Sequence, residues 1–163
     1  MHPLAPLSLL ICAISCAAMS TPGGYNLNLT LEGSGNDQYW VLREENYPVF
    51  LEQPDLFPTN SFPPVGDIQC DHINRAPVAD CRALIQAIAV DQGYIPKAPR
   101  HIQYRMCFMS WHTVTMGRIW DFADTVENIF KVCNYEDGVS GRHLGSGSGG
   151  DPVVCLSNRS KFC

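Results

Sequence analysis

Two stretches of the chain after residue 70 place apolar residues at the spacing of a helix. In the first, positions i, i+3, i+4 and i+7 are apolar, which predicts a helix with one apolar face. Pro77 suits its first turn because a proline lacks the N–H group that would be unpaired there, and Gly93 ends the pattern. The apolar face comprises Cys81, Leu84, Ile85 and Ile88.

The second stretch predicts a helix over about residues 118–133, with acidic residues on the face opposite its apolar stripe. We expect Trp120, which begins that stripe, in the core. For Trp111, ahead of the helix, two interpretations stay open: packing in the core, or an exposed contact for a partner. The apolar stripe comprises Trp120, Ala123, Val126, Ile129, Phe130 and Cys133.

Shorter apolar runs predict strands. Residues 101–113 alternate in the manner of a strand, and residues 153–156 form a short final one. Nearer the N-terminus, residues 39–42 and 49–51 are apolar runs on either side of the turn-like residues 44–46, which predicts a hairpin. These runs are too apolar for a solvated tail, so we expect the hairpin to pack on the rest of the chain.

The N-terminus has the pattern of a secretory signal peptide. Residues 4–18 are apolar, a length that is typical of a signal and too short to span a bilayer as a helix. Small residues favour cleavage after Ser20, with cleavage after Ala18 as the alternative. No other apolar stretch reaches membrane-spanning length. We therefore expect a secreted, extracellular protein without a transmembrane segment.

Eight cysteines become six if residues 1–20 are removed, because Cys12 and Cys16 leave with the signal. An even number of cysteines in an exported chain predicts three disulfides. We favour a local bond between Cys155 and Cys163, and bonds from Cys70 and Cys81 to the strand segment and the second helix. The six cysteines are Cys70, Cys81, Cys107, Cys133, Cys155 and Cys163.

Charge is divided unevenly along the chain and suggests three parts. Residues 21–66 contain six acids and one base, whereas residues 67–163 contain ten of each. We expect a signal peptide at 1–20, an acidic extension with a Pro-rich linker at 21–66, and a disulfide-stabilised α/β domain at 67–163. A neutral domain carries neither the basic footprint of a nucleic-acid-binding protein nor a polybasic membrane patch.

Several segments of the last part resemble one family. They are Cys70, Ala79-Asp80-Cys81, Cys107-Phe108-Met109-Ser110-Trp111, the helix ending at Cys133, Val139-Ser140-Gly141, and Cys155-Leu156-Ser157-Asn158-Arg159. This set resembles the small secreted fungal proteins of the WD-like domain type. More loosely, it is similar to the necrosis-inducing, effector-like domains of fungi and to smut killer toxins. The resemblance implies an α+β fold, a compact two-layer sandwich with about two helices on one antiparallel sheet, and no known enzyme chemistry.

No motif assembles a catalytic or metal site. Four histidines outside the signal and the serines Ser110 and Ser157 are candidates by residue type only, and Cys70-Asp71-His72 resembles half a zinc site without a second half. We therefore expect no catalytic residue, metal or cofactor. Asn28 and Asn158 begin glycosylation sequons, and Asn28 is the better acceptor. The four histidines are His72, His101, His112 and His143.

The glycine-rich residues 134–150 predict a mobile loop, the best candidate for a contact surface. Arg142 and His143 would be its polar anchors and Leu144 its apolar one, with Trp111 as the next candidate. We expect a monomeric, effector-like or killer-toxin-like protein that binds an extracellular or host protein or cell-surface target. The alternatives are a small secreted hydrolase with a site made of a histidine and a carboxylate, for example His112 with Glu127, and a cell-wall structural protein.

Overall fold

The structure, a computed structural model, describes residues 27–46, 68–91, 93–112, 117–145 and 153–159. The predicted signal peptide, the Pro-rich linker, the run 49–51 and Cys163 lie outside these residues. Within them, no helix is both long and apolar enough to cross a membrane.

One sheet of seven strands forms the first layer of the fold. Its order is β1-β2-β4-β5-β9-β8-β3, and all neighbours are antiparallel except β2 and β4. Two further short strands, β6 and β7, pair with each other. The strands are β1 (Leu29–Glu32), β2 (Tyr39–Leu42), β3 (Ile68–Cys70), β4 (His101–Tyr104), β5 (Cys107–Trp111), β6 (Asn134–Tyr135), β7 (Gly138–Val139), β8 (Gly141–His143) and β9 (Val154–Ser157).

Two helices form the second layer, as the periodicity predicts. Helix α1 spans Val78–Val90 and packs on β4 and β5, while α2 spans Ala123–Val132 and packs on β9, β8 and β3. A short 3-10 turn, Ile119–Phe122, leads into α2. The expectation of an α+β fold with two helices on a mostly antiparallel sheet is confirmed.

The core lies between the helices and one face of the sheet. Residues that face each other across neighbouring strands share a face, and the strand register therefore aligns one row across the whole sheet. The row runs Leu31, Trp40, Ile102, Met109, Leu156, Gly141 and Cys70. Ile102, Met109 and Leu156 at its centre are fully buried. The alternate residues of each strand belong to the other face.

Disulfides join each helix to the sheet. Cys81 of α1 bonds to Cys107 of β5, and Cys133 at the end of α2 bonds to Cys70 of β3. These bonds confirm that Cys70 and Cys81 reach the strand segment and the second helix. Cys155 is also disulfide-bonded, and its pairing with Cys163 remains a prediction.

Gly141 makes room for the bond between Cys70 and Cys133. A Cβ atom at this position would lie 2.5 Å from the Cys133 sulfur and 3.1 Å from a methyl carbon of Ile129. Any larger residue would therefore push α2 away from β8.

The predicted strand over residues 39–42 is present, and it forms a hairpin with a strand that precedes it. Tyr39–Leu42 pairs with Leu29–Glu32 on one edge and, at Trp40 and Val41, with β4 on the other. Residues along both edges of the strand are thus paired, and the predicted partner run, residues 49–51, lies outside the described residues. The run Leu29-Thr30-Leu31-Glu32 alternates as a strand does, and this shorter signal is the one the sheet uses.

The expectation of a loop over residues 134–150 is wrong for its first ten residues. Three short strands, β6, β7 and β8, occupy Asn134–His143, and β8 lies inside the main sheet between β9 and β3. Glycines in this stretch suggest a loop because glycine disfavours strands. Here Gly138 has a φ of +145°, and Gly141 is needed beneath a disulfide. Residues 146–150 lie outside the described residues.

Of the two tryptophans near α2, Trp120 is placed against expectation, and the structure decides between the two interpretations of Trp111. Trp120 is 51% exposed, whereas Trp111 is 2% exposed. The centroids of the Trp111 and Phe122 rings are 5.4 Å apart. The prediction for Trp120 is wrong because residues 119–122 form a 3-10 helix, which has three residues per turn. In this turn Ile119 and Phe122 are the residues that point into the core, and Trp120 points away from it. Trp111 is a core residue on the helix-facing side of β5.

Candidate functional site

The predicted contact residues do not share one surface. Strand alternation points His143 toward the helices, where it is buried and its Nδ1 accepts a hydrogen bond from the Gly145 N–H at 3.1 Å. Arg142 is exposed on the other face and donates to the Gln69 side-chain oxygen at 2.7 and 3.1 Å. Leu144 is partly buried after the strand. These three residues therefore do not form a contact surface on one exposed loop.

His72 lies in an exposed cluster near the end of β3. Its Nδ1 is 3.0 Å from an Arg75 nitrogen, and because arginine only donates, Nδ1 accepts. Arg75 also pairs with Asp137 and lies over the Tyr135 ring. These contacts tie the loop after β3 to the β6–β7 hairpin.

Cys70-Asp71-His72 does not form half of a zinc site. Cys70 is bonded to Cys133 and therefore has no free thiolate to bind a cation. No group of three or more His, Cys, Asp or Glu side chains in the described ranges is arranged to hold a metal ion.

The remaining candidates are spread over the molecule. His112 is exposed just after β5, and Glu127 is paired with Lys131 on α2 at 2.7 Å. Ser157 is buried in β9, where its oxygen accepts from the Arg159 N–H at 3.3 Å. Among the candidates for a catalytic site, the described residues bring His101 and Ser110 together.

His101 and Ser110 face each other across β4 and β5. The hairpin between these strands turns at Arg105 and Met106, and Arg105 has a φ of +50°. A two-residue turn at this place sets the register that pairs residue 101 with residue 110. Recognition of this tight turn in the sequence would have predicted the pair.

A cleft of about 390 Å³ opens beside this pair. Its volume falls in the range of sites for small ligands. One wall comes from β1 and the turn that follows it, and the other from the segment before β4 and the end of β5. The first wall consists of Leu31, Gly35, Asn36 and Gln38, and the second of Ala98, Pro99, Arg100, His101, Ser110 and Trp111.

The turn between β1 and β2 is held in one shape by its sequence. Gly33 has a φ of +84°, and a Cβ atom there would overlap the carbonyl oxygen of Asp37. His101 then fastens the turn to β4, with its Nε2 2.5 Å from the Gln38 carbonyl oxygen. Since a carbonyl only accepts, Nε2 carries the hydrogen. The two walls of the cleft are therefore linked by a hydrogen bond.

The described residues that line the cleft include basic groups and no acidic ones. Arg100 is partly buried and donates from Nη1 to the His112 backbone carbonyl. Asp37 lies in the neighbouring turn but not in the lining. The walls are otherwise mainly apolar, with Leu31 and Pro99 as the apolar side chains, while Trp111 borders the cleft with its ring buried in the core.

A buried carboxylate holds the start of β1 in place. Asp91, at the end of α1, accepts hydrogen bonds from the Leu27 N–H at 3.3 Å and the Gly93 N–H at 2.7 Å. Burial raises the pKa of the Asp91 carboxyl, and the two N–H bonds act in the opposite direction. The N-terminal hairpin is thus anchored at both ends, by Asp91 and by His101.

Comparison with protein families decides what the larger part of the chain is. The family model described as fungal WD-like matches residues 57–163, about two thirds of the sequence. The chain belongs to the fungal WD-like family. No curated protein and no solved structure matches it. The looser similarity to necrosis-inducing domains and killer toxins remains a prediction.

The WD-like match begins after the residues that form one wall of the cleft. Residues 57–163 contain β3 to β9 and both helices, whereas β1, β2 and the turn between them precede the match. The cleft therefore lies where the WD-like domain meets a hairpin that the family model does not include. No sequence pattern indicates the further lining residues, because the parallel pairing of β2 with β4 brings the two walls together. These residues are Leu31, Asn36, Gln38, Pro99 and Arg100.

Proposed function

We propose that this fungal WD-like protein is secreted and acts by binding an extracellular or host target, in the manner of an effector or toxin, without turning over a substrate. A single observation carries the proposal: the cleft joins a rigid disulfide-linked domain to a hairpin fixed by Asp91 and His101. A concave, mainly apolar surface with few polar groups is the form that ligand sites take. Two disulfides between helices and sheet support an oxidising compartment.

The binding proposal is tested by placing a charge in the cleft. Leu31 is 44% exposed at its rim, and Leu31→Glu places a charge on an apolar wall. Ile73, 62% exposed on the loop after β3, which lies at the opposite edge of the sheet from β1, provides the matched control Ile73→Glu. Mature protein and both variants are immobilised and exposed to host-cell surface extracts. Binding lost in Leu31→Glu and kept in Ile73→Glu supports the proposal, and equal capture by all three contradicts it.

A second candidate function, a small hydrolase, is favoured by the His101–Ser110 pair. Adjacent serine and histidine side chains are the elements of an activated nucleophile. The His101 Nε2 proton is directed at a backbone carbonyl, and none of the described lining residues is a carboxylate that could orient the ring. Labelling by a fluorophosphonate that disappears in Ser110→Ala and His101→Ala would favour the hydrolase over the binding protein.

Secretion is tested on the N-terminus. Residues 1–20 should be removed, so that the protein in the medium begins at Thr21. N-terminal sequencing measures this, and an intracellular protein with Met1 intact contradicts it. We also propose a monomer without cofactor, glycosylated at Asn28, which is exposed, in preference to Asn158, which is partly buried beside the Asn74 carbonyl. Sedimentation with the cell wall, resistant to salt extraction, would favour the structural alternative.

A further inference from the structure

We infer that the cleft takes a small ligand made of an apolar body and one carboxylate, and that Arg100 pairs with the carboxylate. This inference rests on the proposed function, because it assumes that the cleft is the binding site. It assigns the chemical class of the ligand and the residue that selects it.

The first argument is the state of the Arg100 guanidinium. Arg43, Arg75 and Arg105 each pair with a carboxylate, and Arg142 donates to the Gln69 side-chain oxygen, but none of these four lines the cleft. Arg100 is partly buried, and within the described ranges its guanidinium donates to the His112 backbone carbonyl and forms no ion pair with a carboxylate. Arginine carries five N–H donors, so most of them stay available. A ligand carboxylate supplies the counter-charge that this cation lacks, in a bidentate geometry that arginine favours.

The second argument is the charge of the lining. The chain as a whole has a net charge of −5, yet the described residues around the cleft comprise Arg100 and His101 and no Asp or Glu. A cationic ligand would meet Arg100 without any compensating acid. A group with more than one negative charge would find only one permanent cation. One carboxylate therefore matches the charge of this site.

The third argument concerns the rest of the ligand. Leu31 and Pro99 provide apolar contact, and Asn36 and Gln38 lie on the hairpin wall. The Gln38 carbonyl is already bonded to His101. The part of the ligand away from the carboxylate should therefore gain from apolar burial, at roughly 25 cal/mol per Å².

The test uses three probes of one shape. The probes are 4-phenylbutyrate, 4-phenylbutanamide and 4-phenylbutylamine, which share a 3-phenylpropyl group and carry an anionic, a neutral and a cationic head group. Each is titrated into the ¹⁵N-labelled mature protein, and amide shifts of Leu31 and Gly35 and the indole N–H shift of Trp111 are followed. Because hydrogen bonds to charged groups are stronger than neutral ones, the acid should bind about tenfold or more tightly than the amide, and the amine should bind most weakly.

Variants identify the source of the preference. Arg100→Gln should bring the acid to the affinity of the amide, while Arg100→Lys, which keeps the charge, should retain part of the preference. If Arg100→Gln fails to fold because the contact with His112 is lost, Leu31→Asp serves instead, since it places a negative charge in the cleft. Leu31→Asp should weaken the acid more than the amide.

The outcomes separate this inference from the proposed function. Equal binding of acid and amide, with shifts at Leu31 and Trp111, overturns the carboxylate inference and leaves the cleft as a binding site. Retained preference in Arg100→Gln overturns the role of Arg100. If no probe shifts these residues, the inference is wrong, while capture by the Leu31→Glu and Ile73→Glu variants still decides the proposed function.

Discussion

The disulfide-linked part of the sheet and the N-terminal hairpin are held in contrasting ways. Strands β3 and β5 are each bonded covalently to a helix. The hairpin of β1 and β2 carries no cysteine and is joined to the sheet by a short parallel pairing with β4, the Asp91 contact to Leu27 and the His101 contact to Gln38. The family match covers the first part only.

We call the disulfide-linked helices and strands the scaffold. The hairpin, in contrast, has no disulfide link and supplies one wall of the cleft. A covalent frame keeps Arg100, His101 and Ser110 in place, whereas the hairpin supplies the opposite wall through noncovalent contacts. Changes in the hairpin sequence would therefore alter the cleft without breaking the frame.

Removal of the bond between Cys70 and Cys133 should have the largest effect. It closes a loop with a sequence separation of 63 residues, and the chain-entropy account assigns such a bond about 4 kcal/mol. Cys70→Ala combined with Cys133→Ala should lower the free energy of unfolding by about this amount in urea titrations. The shorter bond between Cys81 and Cys107 should cost slightly less when removed. An unchanged midpoint would contradict the view that these bonds hold the scaffold.

Truncation of a buried hairpin residue tests whether the hairpin unfolds with the scaffold. Leu42 is 1% exposed at the end of β2, and Leu→Ala at buried sites costs about 2–5 kcal/mol. One transition at lower denaturant is expected for Leu42→Ala. Leu31→Ala, in the neighbouring strand and 44% exposed, is the control and should cost less than about 1 kcal/mol. Separate transitions for the two parts would show that the hairpin is an independent unit.

The Asp91 carboxyl links the hairpin to α1 and should make this link depend on pH. Asp91→Ala leaves the Leu27 and Gly93 N–H groups without their acceptor, at a cost of about 1–3 kcal/mol. Because burial raises the pKa of Asp91 above its usual 3.8, the folded state binds the proton more tightly than the unfolded state does. The contribution of this group is therefore largest below pH 3.8 and falls as the pH rises through the folded-state pKa.

Asp91→Asn provides the measurement for this dependence. As the pH is lowered, the free energy of unfolding of the natural protein should increase relative to that of the variant. Urea titrations across that range measure it. A difference that stays constant with pH would show that the Asp91 pKa is not raised in the folded protein.

The smallest effect is expected at Trp120, an exposed residue within the scaffold. Trp120→Ala should change the free energy of unfolding by about 0.5 kcal/mol or less, because the ring is 51% exposed. Val126→Ala, at a fully buried position on the following helix, is the control and should cost clearly more. A large loss in Trp120→Ala would place its ring in the core after all.

Sequence reasoning succeeded where a signal is local. The spacing of Leu84, Ile85 and Ile88 is enough to predict α1, and the same reasoning places Val126 and Ile129 on the buried side of α2. It failed where a residue's surroundings come from distant segments. Gly141 looks like a loop residue until the disulfide above it is known, and the first turn before α2 does not follow the α-helical period that placed Trp120 in the core.

The sequence by itself determined the two helices, the strands β2, β4, β5 and β9 among the nine of the described residues, and the fungal WD-like resemblance. It also determined which segments Cys70 and Cys81 reach through their disulfides, without assigning each pair. Periodicity and cysteine content are local properties and can be read directly. The tertiary structure alone decided that β2 lies beside β4, that His143 turns inward and that Arg100 faces a turn preceding the family match. These depend on long-range strand order and register, in which a shift by one residue turns each side chain to the opposite face of the sheet.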